Sequence, residues 1–298
     1  MTLMIDFPFP GAAAWVDHFK DIDLPVLRHT VQQLNELREA AETINTRKLA
    51  TIIEHDPLMT LRVFQLMAKR RGNRQSGEIT TVERALVMMG TQNFYDSIQS
   101  LPIIEQQLKG YPKAMLGLLK VIARSRHAAR WARDWALLRQ NVSFDEITLA
   151  ALLHDFVEIL MWCFAPTLAS QAKERVTAMP GRRTSAVQQE IFGASLDDIM
   201  IELTTIWGLP SLLLSLLNPA DAETTNVRNV KFAVDLARHT ANGWNDAALP
   251  DDYQAIESLL HIGHSKLLAR IGAPEELVLA ARQAELEKEQ REEEARGS

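Results

Sequence analysis

Residues 150–164 read AALLHDFVEILMWCF, a run in which the only strongly polar letters are a His, an Asp and a Glu. At about 100° per residue, His154, Asp155 and Glu158 fall on one narrow polar stripe of an otherwise apolar helix. Burying titratable groups is costly unless each finds a partner. The stripe therefore belongs either to a metal or substrate site, or to the remnant of one held by salt bridges.

Working outward from it, the punctuation is helical nearly throughout. INTRKLATIIEHDP has Asn45 or Thr46 as a cap and stops at Asp56, because Pro57 disfavours the α conformation in the residue before it. Pro57 then opens PLMTLRVFQLMAKRR, with Leu58, Leu61, Phe64 and Met67 recurring at helical spacing. Thr80 with Glu83, and Ser185 with Gln188, have the spacing of capping boxes, and Gly90 closes the first of these two helices. Pro112 opens a long helix to about Leu138, and WGLP at Trp207–Pro210 is a break. No alternating strand exceeds three or four residues and no internal repeat is visible. The fold class expected is all-α, a compact array of roughly a dozen short helices.

With 47% apolar and 23% charged residues in 298, the composition is that of a globular protein. A formal net charge of −6 argues against a surface that coats nucleic acid or membrane. The single cysteine, Cys163, allows no intrachain disulfide and reads as a small buried hydrophobe. The N-terminus lacks the pattern of a signal peptide. The longest uninterrupted apolar stretch, Ile159–Ala165, has seven residues where a membrane span needs about 20. A soluble, cytoplasmic protein is expected.

Several stretches together resemble the HDOD domain, a bacterial offshoot of the HD metal-dependent phosphohydrolases. They are LPVLRHTVQQLNEL, KLATIIEHDPLMTLRVFQL, ITTVERALVMMG, SRHAARWA, ALLHDFVEIL and EIFGASLDDIMIELTTIWGLP, in order between about residues 20 and 220. The resemblance implies an all-helical HD-like array and a regulatory, largely non-catalytic role in bacterial signalling. The domain expected spans 20–281, with an N-terminal helical part at about 20–108, an HD-like part at about 109–220 and closing helices at 221–281. Residues 1–19 are set apart as an N-terminal segment. Residues 282–298, rich in Glu, read as a solvated, frayed helix or as disorder.

The departures from the catalytic pattern point the same way. Phosphodiesterase relatives read His-Asp-Ile-Gly-Lys where this chain has His154-Asp155-Phe156-Val157-Glu158, so a small Gly has become bulky and a cation has become an anion. Leu196 stands where many HDOD sequences have a His, and Asn218-Pro219 stands where a His pair often follows. The family's Asn-Ser after the Asp-Pro helix is Lys69-Arg70. A hydrolytic metal centre needs about four converging ligands and an open position for activated water. The candidates are His154, Asp155, Glu158 and, by resemblance, His127, with Asp197 or Asp198 as a further carboxylate. The competing reading is a buried network in which Arg124 and Arg126 satisfy Asp155 and Glu158. That reading is favoured, and no cofactor is expected beyond a weakly bound divalent metal.

From Lys109 to Arg139 there are eight basic residues and one acid, and Arg126, Arg130 and Arg133 share a helix face. With Arg124, and with Lys69, Arg70 and Arg71 in a second basic run, they are candidates for binding a partner or an anion. The alternative is an amphipathic helix with Trp131 and Trp135 in the core and the arginines solvated or paired. His261 and His264 have helical metal-pair spacing but lack further ligands. PGRRTS at 180–185 reads as an anion-binding turn or an exposed one. The function expected is non-enzymatic regulation through a protein partner, with a small anionic ligand or nucleotide admitted. An active phosphohydrolase or cyclic-dinucleotide phosphodiesterase is the alternative, and a nucleic-acid-binding regulator comes third.

Overall fold

The computed structural model describes residues 4–40, 45–71, 78–179 and 181–296. Helices α1 (Ala12–Phe19), α2 (Arg28–Ala40), α3 (Thr46–Glu54), α4 (Pro57–Arg71), α5 (Val82–Met89), α6 (Thr91–Ser97) and α7 (Ile104–Gln107) form the N-terminal part. Then come α8 (Pro112–Leu138), α9 (Phe144–Leu153), α10 (Phe156–Phe164), α11 (Pro166–Ala178), α12 (Thr184–Phe192), α13 (Leu196–Trp207) and α14 (Leu212–Ser215). The closing helices are α15 (Thr225–His239), α16 (Leu249–Leu260), α17 (His264–Ile271) and α18 (Glu275–Arg296). The all-α expectation holds: among the described residues the only β pairing is one isolated parallel bridge between Val26 and Ile103.

Local chemistry sets several boundaries. Asn45 Oδ1 accepts from the N–H groups of Arg47 and Lys48, capping α3. Asp56, fully buried, accepts from Leu58 N and Met59 N at the start of α4, and from Leu27 N and Thr30 Oγ1. One carboxylate thus caps α4 and fixes the entry to α2. Two predicted boxes do not form. Thr81, one residue beyond the expected Thr80, caps α5 through Arg84 N, and Ser185 lies inside α12, whose first turn has no side-chain cap. Gly193, at φ +70°, ends α12 where an added Cβ would meet Phe9 O at 2.8 Å, so only glycine suits both the turn and the close approach.

The core is organised around α8, which packs against α9, α10, α11 and α15. Trp131 and Trp135 are buried there, as the alternative reading of the basic run required. The expected single helix through residues 150–164 is broken at His154 and Asp155: α9 ends at Leu153 and α10 begins at Phe156. Phe144–Phe164 is long and apolar enough to cross a membrane by length and composition, but most of it is buried in the fold. Cys163 is buried too, and burial pushes its thiol well up, out of nucleophilic range.

The charged tail is helical as far as Arg296. α18 runs unbroken through position 282, and Glu285 accepts from Ser265 N at 3.0 Å and Ser265 Oγ at 2.6 Å, docking it on the first turn of α17. His261 and His264 do not share a helix. His261 takes a left-handed conformation between α16 and α17, and His264 pairs with Glu257 at 2.6 Å.

Candidate functional site

The break between α9 and α10 builds the site. His154 and Asp155 lie in the turn between the two helices, and Arg124 of α8 meets the Asp155 carboxylate there. Its Nε lies 2.9 Å from Asp155 Oδ2, and one terminal nitrogen lies 2.5 Å from the same oxygen and 2.9 Å from Glu158 Oε2. The second Asp155 oxygen accepts from His154 Nδ1 at 2.8 Å and lies 4.0 Å from Arg238 of α15. Glu158 also accepts a long bond from Trp162 Nε1 at 3.4 Å.

The electrostatics follow from this geometry. Burial opposes ionisation of Asp155, but Arg124, the His154 bond and Arg238 outweigh it and hold the carboxyl well below the usual range. Burial disfavours the Arg124 charge as well, and Asp155 and Glu158 more than compensate. Arg124 is thus a shared cation between two carboxylates, in a cluster where every charge is paired. A hydrolytic metal does not fit this donor set. The guanidinium sits on the two carboxylates that would have to reach the metal, and no group of three His, Cys, Asp or Glu side chains converges among the described residues.

Over the cluster opens a cavity of about 1010 Å³. Lys113, Lys120, Lys173, Arg183, Arg130 and Arg238 line it together with the cluster. Trp162 forms part of the wall and packs so closely on Gly117 of α8 that a Cβ there would lie 2.5 Å from the indole. The uncapped first turn of α12 contributes Thr184 and Ser185. Leu196, in the position where the resemblance leads one to expect a His, also lines the cavity.

Residues 24–221 match the HDOD domain family. The chain belongs to this family. Among solved structures, the HDOD chain is similar to the MmoQ response regulator of Methylococcus capsulatus. The TM-score is 0.65 and the identity 19%, over 86% of this chain and 100% of that one. It is also similar to a virulence factor from Campylobacter jejuni, with a TM-score of 0.62 and 19% identity over 89% of this chain and 93% of that one. At such identities the likeness is one of fold. Among proteins of curated function, none matches the chain.

Of the residues singled out in the sequence, the HDOD fold brings together Arg124, His154, Asp155 and Glu158. His127 stays apart. It lies against Trp131 and 3.5 Å from Arg130, and burial and the Arg130 charge lower its pKa. Asp197 lines the cavity and Asp198 does not. Arg126 donates through Nε to His55 O rather than to the acids, and Arg133 pairs with Asp145 at 2.5 Å. Of the second basic run, Lys69 and Arg70 do not line the cavity. Lys69, Arg70 and Arg71 close α4, where Arg70 makes a long bond to Met89 O, and Arg74 lies outside the described residues. The PGRRTS turn divides: Arg182 pairs with Glu190, whereas Arg183 reaches the cavity, and Pro180 lies outside the described residues. Sequence reasoning missed Arg238 and Trp162, since nothing local marks a cation on α15 or an indole in an apolar run as site-facing.

Proposed function

We propose that this HDOD chain is a non-enzymatic regulator of bacterial signalling, acting in the cytoplasm by binding a protein partner and holding a small anionic ligand in the larger cavity. The observation that carries the reading is the Arg124 guanidinium seated on both Asp155 and Glu158. In a hydrolase those carboxylates would face a metal that activates water. Here an internal cation takes their charge, and a guanidinium offers neither a Lewis acid nor a bound hydroxide. The basic lining of the cavity supports an anionic ligand. The net charge of −6 speaks against nucleic acid as the partner.

The test is metal stoichiometry by plasma mass spectrometry, on protein purified without an affinity metal and then incubated with manganese or iron. A His154→Ala/Asp155→Asn variant runs beside it. The expected result is metal far below one per chain in both proteins, and no hydrolysis of a phosphodiester substrate. Close to one metal per chain, lost in the variant and accompanied by turnover, would overturn the reading in favour of a phosphohydrolase.

A further inference from the structure

A second cavity, of about 520 Å³, lies where α3 and the first turn of α5 meet α8 and α9. Four arginines line it. Arg133 is already engaged, paired with Asp145 and set 4.6 Å over the Phe144 ring. The other three, Arg47, Arg126 and Arg130, have no carboxylate partner among the described residues. Arg126 bonds only a carbonyl, His55 O, and the nearest polar contact of Arg130 is His127 Nδ1 at 3.5 Å. By contrast, the more deeply buried Arg62 and Arg124 each sit on a carboxylate.

We propose that this cavity is a binding site for a phosphomonoester dianion, held by Arg47, Arg126 and Arg130 across the junction of the two halves of the fold. Three guanidiniums gathered at one half-open cleft repel one another, and a bound dianion relieves that repulsion. Arginine forks from two helices suit a tetrahedral group with several acceptor oxygens better than a carboxylate, which offers only two. The first turn of α5, whose cap Thr81 lines the cavity, adds the positive end of a helix. The amide groups at the start of α3 are already taken by Asn45, so the arginine side chains must do the holding.

Three carboxylates also line the cleft, and they do not cancel the arginines. Asp145 is spent on Arg133. Burial first, and then Asp145, push Glu54 up to about 7, so a large fraction of the molecules carry it uncharged near neutrality. Glu83, the third of them, opposes the anion. The site shares Arg130 and His127 with the rim of the cavity over Asp155, but Arg47 and Arg126 line this cleft and not that one, so the inference stands whether or not that cavity holds a ligand.

Inorganic phosphate is the probe, titrated calorimetrically into the full chain in chloride buffer. The expected result, in a Lys120→Gln/Lys173→Gln background that strips lysines from the larger cavity, is one saturable site per chain, weakened roughly tenfold or more by either Arg47→Gln or Arg126→Gln. Thermal unfolding of each variant checks that the fold is intact. Absence of saturable binding in that background would overturn the proposal, as would binding that survives both arginine substitutions.

Discussion

Glu54, in the last turn of α3, is a side chain whose charge state the fold strains. Burial pushes its pKa from 4.5 to about 7, Asp145 adds repulsion, and Arg133 relieves part of it. The folded chain therefore binds this proton more tightly than the unfolded chain does. Its favourable contribution is complete below pH 4.5 and is lost as the pH rises through 7. Glu54→Gln is therefore expected to stabilise the protein progressively more toward alkaline pH, by about 1–3 kcal/mol more near pH 8 than near pH 5. Thermal or denaturant unfolding at the two pH values measures this, and an equal effect at both would refute the assignment. Asp155 has the opposite sign. Its depressed pKa keeps its contribution intact above the ordinary carboxylate range and forfeits it only in strong acid. The two acids were not equally legible. HDFVE draws attention to Asp155 because polar letters interrupt an apolar run. Glu54, in ATIIEHDP, looks like any exposed helix-end carboxylate, since its burial comes from α5, α8 and α9, elsewhere in the chain.

Among the elements, α8 shows both what local sequence rules capture and where they stop. Pro112 at its first position and the apolar spacing after it mark its extent, and the observed helix is Pro112–Leu138. Asn45 at α3 and Pro57 at α4 were legible for the same reason, because caps and prolines act within a few residues of themselves. The break between α9 and α10 was not. Apolar periodicity carries straight through His154 and Asp155, and what favours the turn is the Arg124 partnership on another helix. Gly117 is a similar case. Replacing a mid-helix glycine by alanine ordinarily stabilises by about 1 kcal/mol. Here the new Cβ would lie 2.5 Å from the Trp162 ring, which is only 5% exposed and has little room to retreat. Overpacking of this kind costs about 1–3 kcal/mol, so the clash wins over propensity. Gly117→Ala is expected to lower the unfolding midpoint and to shift Trp162 emission as the ring is displaced toward the cavity. A variant at least as stable as the parent, with unchanged fluorescence, would show that the packing is looser than the distances imply.

The molecule as a whole is stitched together at points far apart in the chain, and this bears on the N-terminal segment. On the sequence alone, residues 1–19 are set apart as an N-terminal segment. In the structure Ile5, Trp15, Val16 and Phe19 are buried, and α1 packs on α13. Ile5 N donates to Phe164 O at 2.8 Å, and Trp15 Nε1 donates to Phe192 O at 2.9 Å. From the other side, Trp207 Nε1 donates to Lys20 O at 3.0 Å, and Gln107 Nε2 donates to Cys163 O at 2.8 Å. These links join the N-terminal part to α10, α12 and α13, so the two halves share one core. Full exposure of four large apolar side chains costs at least about 6 kcal/mol, comparable with the entire stability of a typical domain, about 5–15 kcal/mol. Removal of residues 1–19 is therefore expected to abolish cooperative unfolding, or to shift its midpoint far down, rather than to leave a trimmed domain intact. In the parent chain, tryptophan fluorescence and far-ultraviolet circular dichroism should report coincident denaturant transitions, because indoles on both sides of the junction lose their partners together. Separated transitions in the parent, or a truncated chain with an unchanged midpoint, would mean that the halves fold independently and that the shared core contributes little to holding them together.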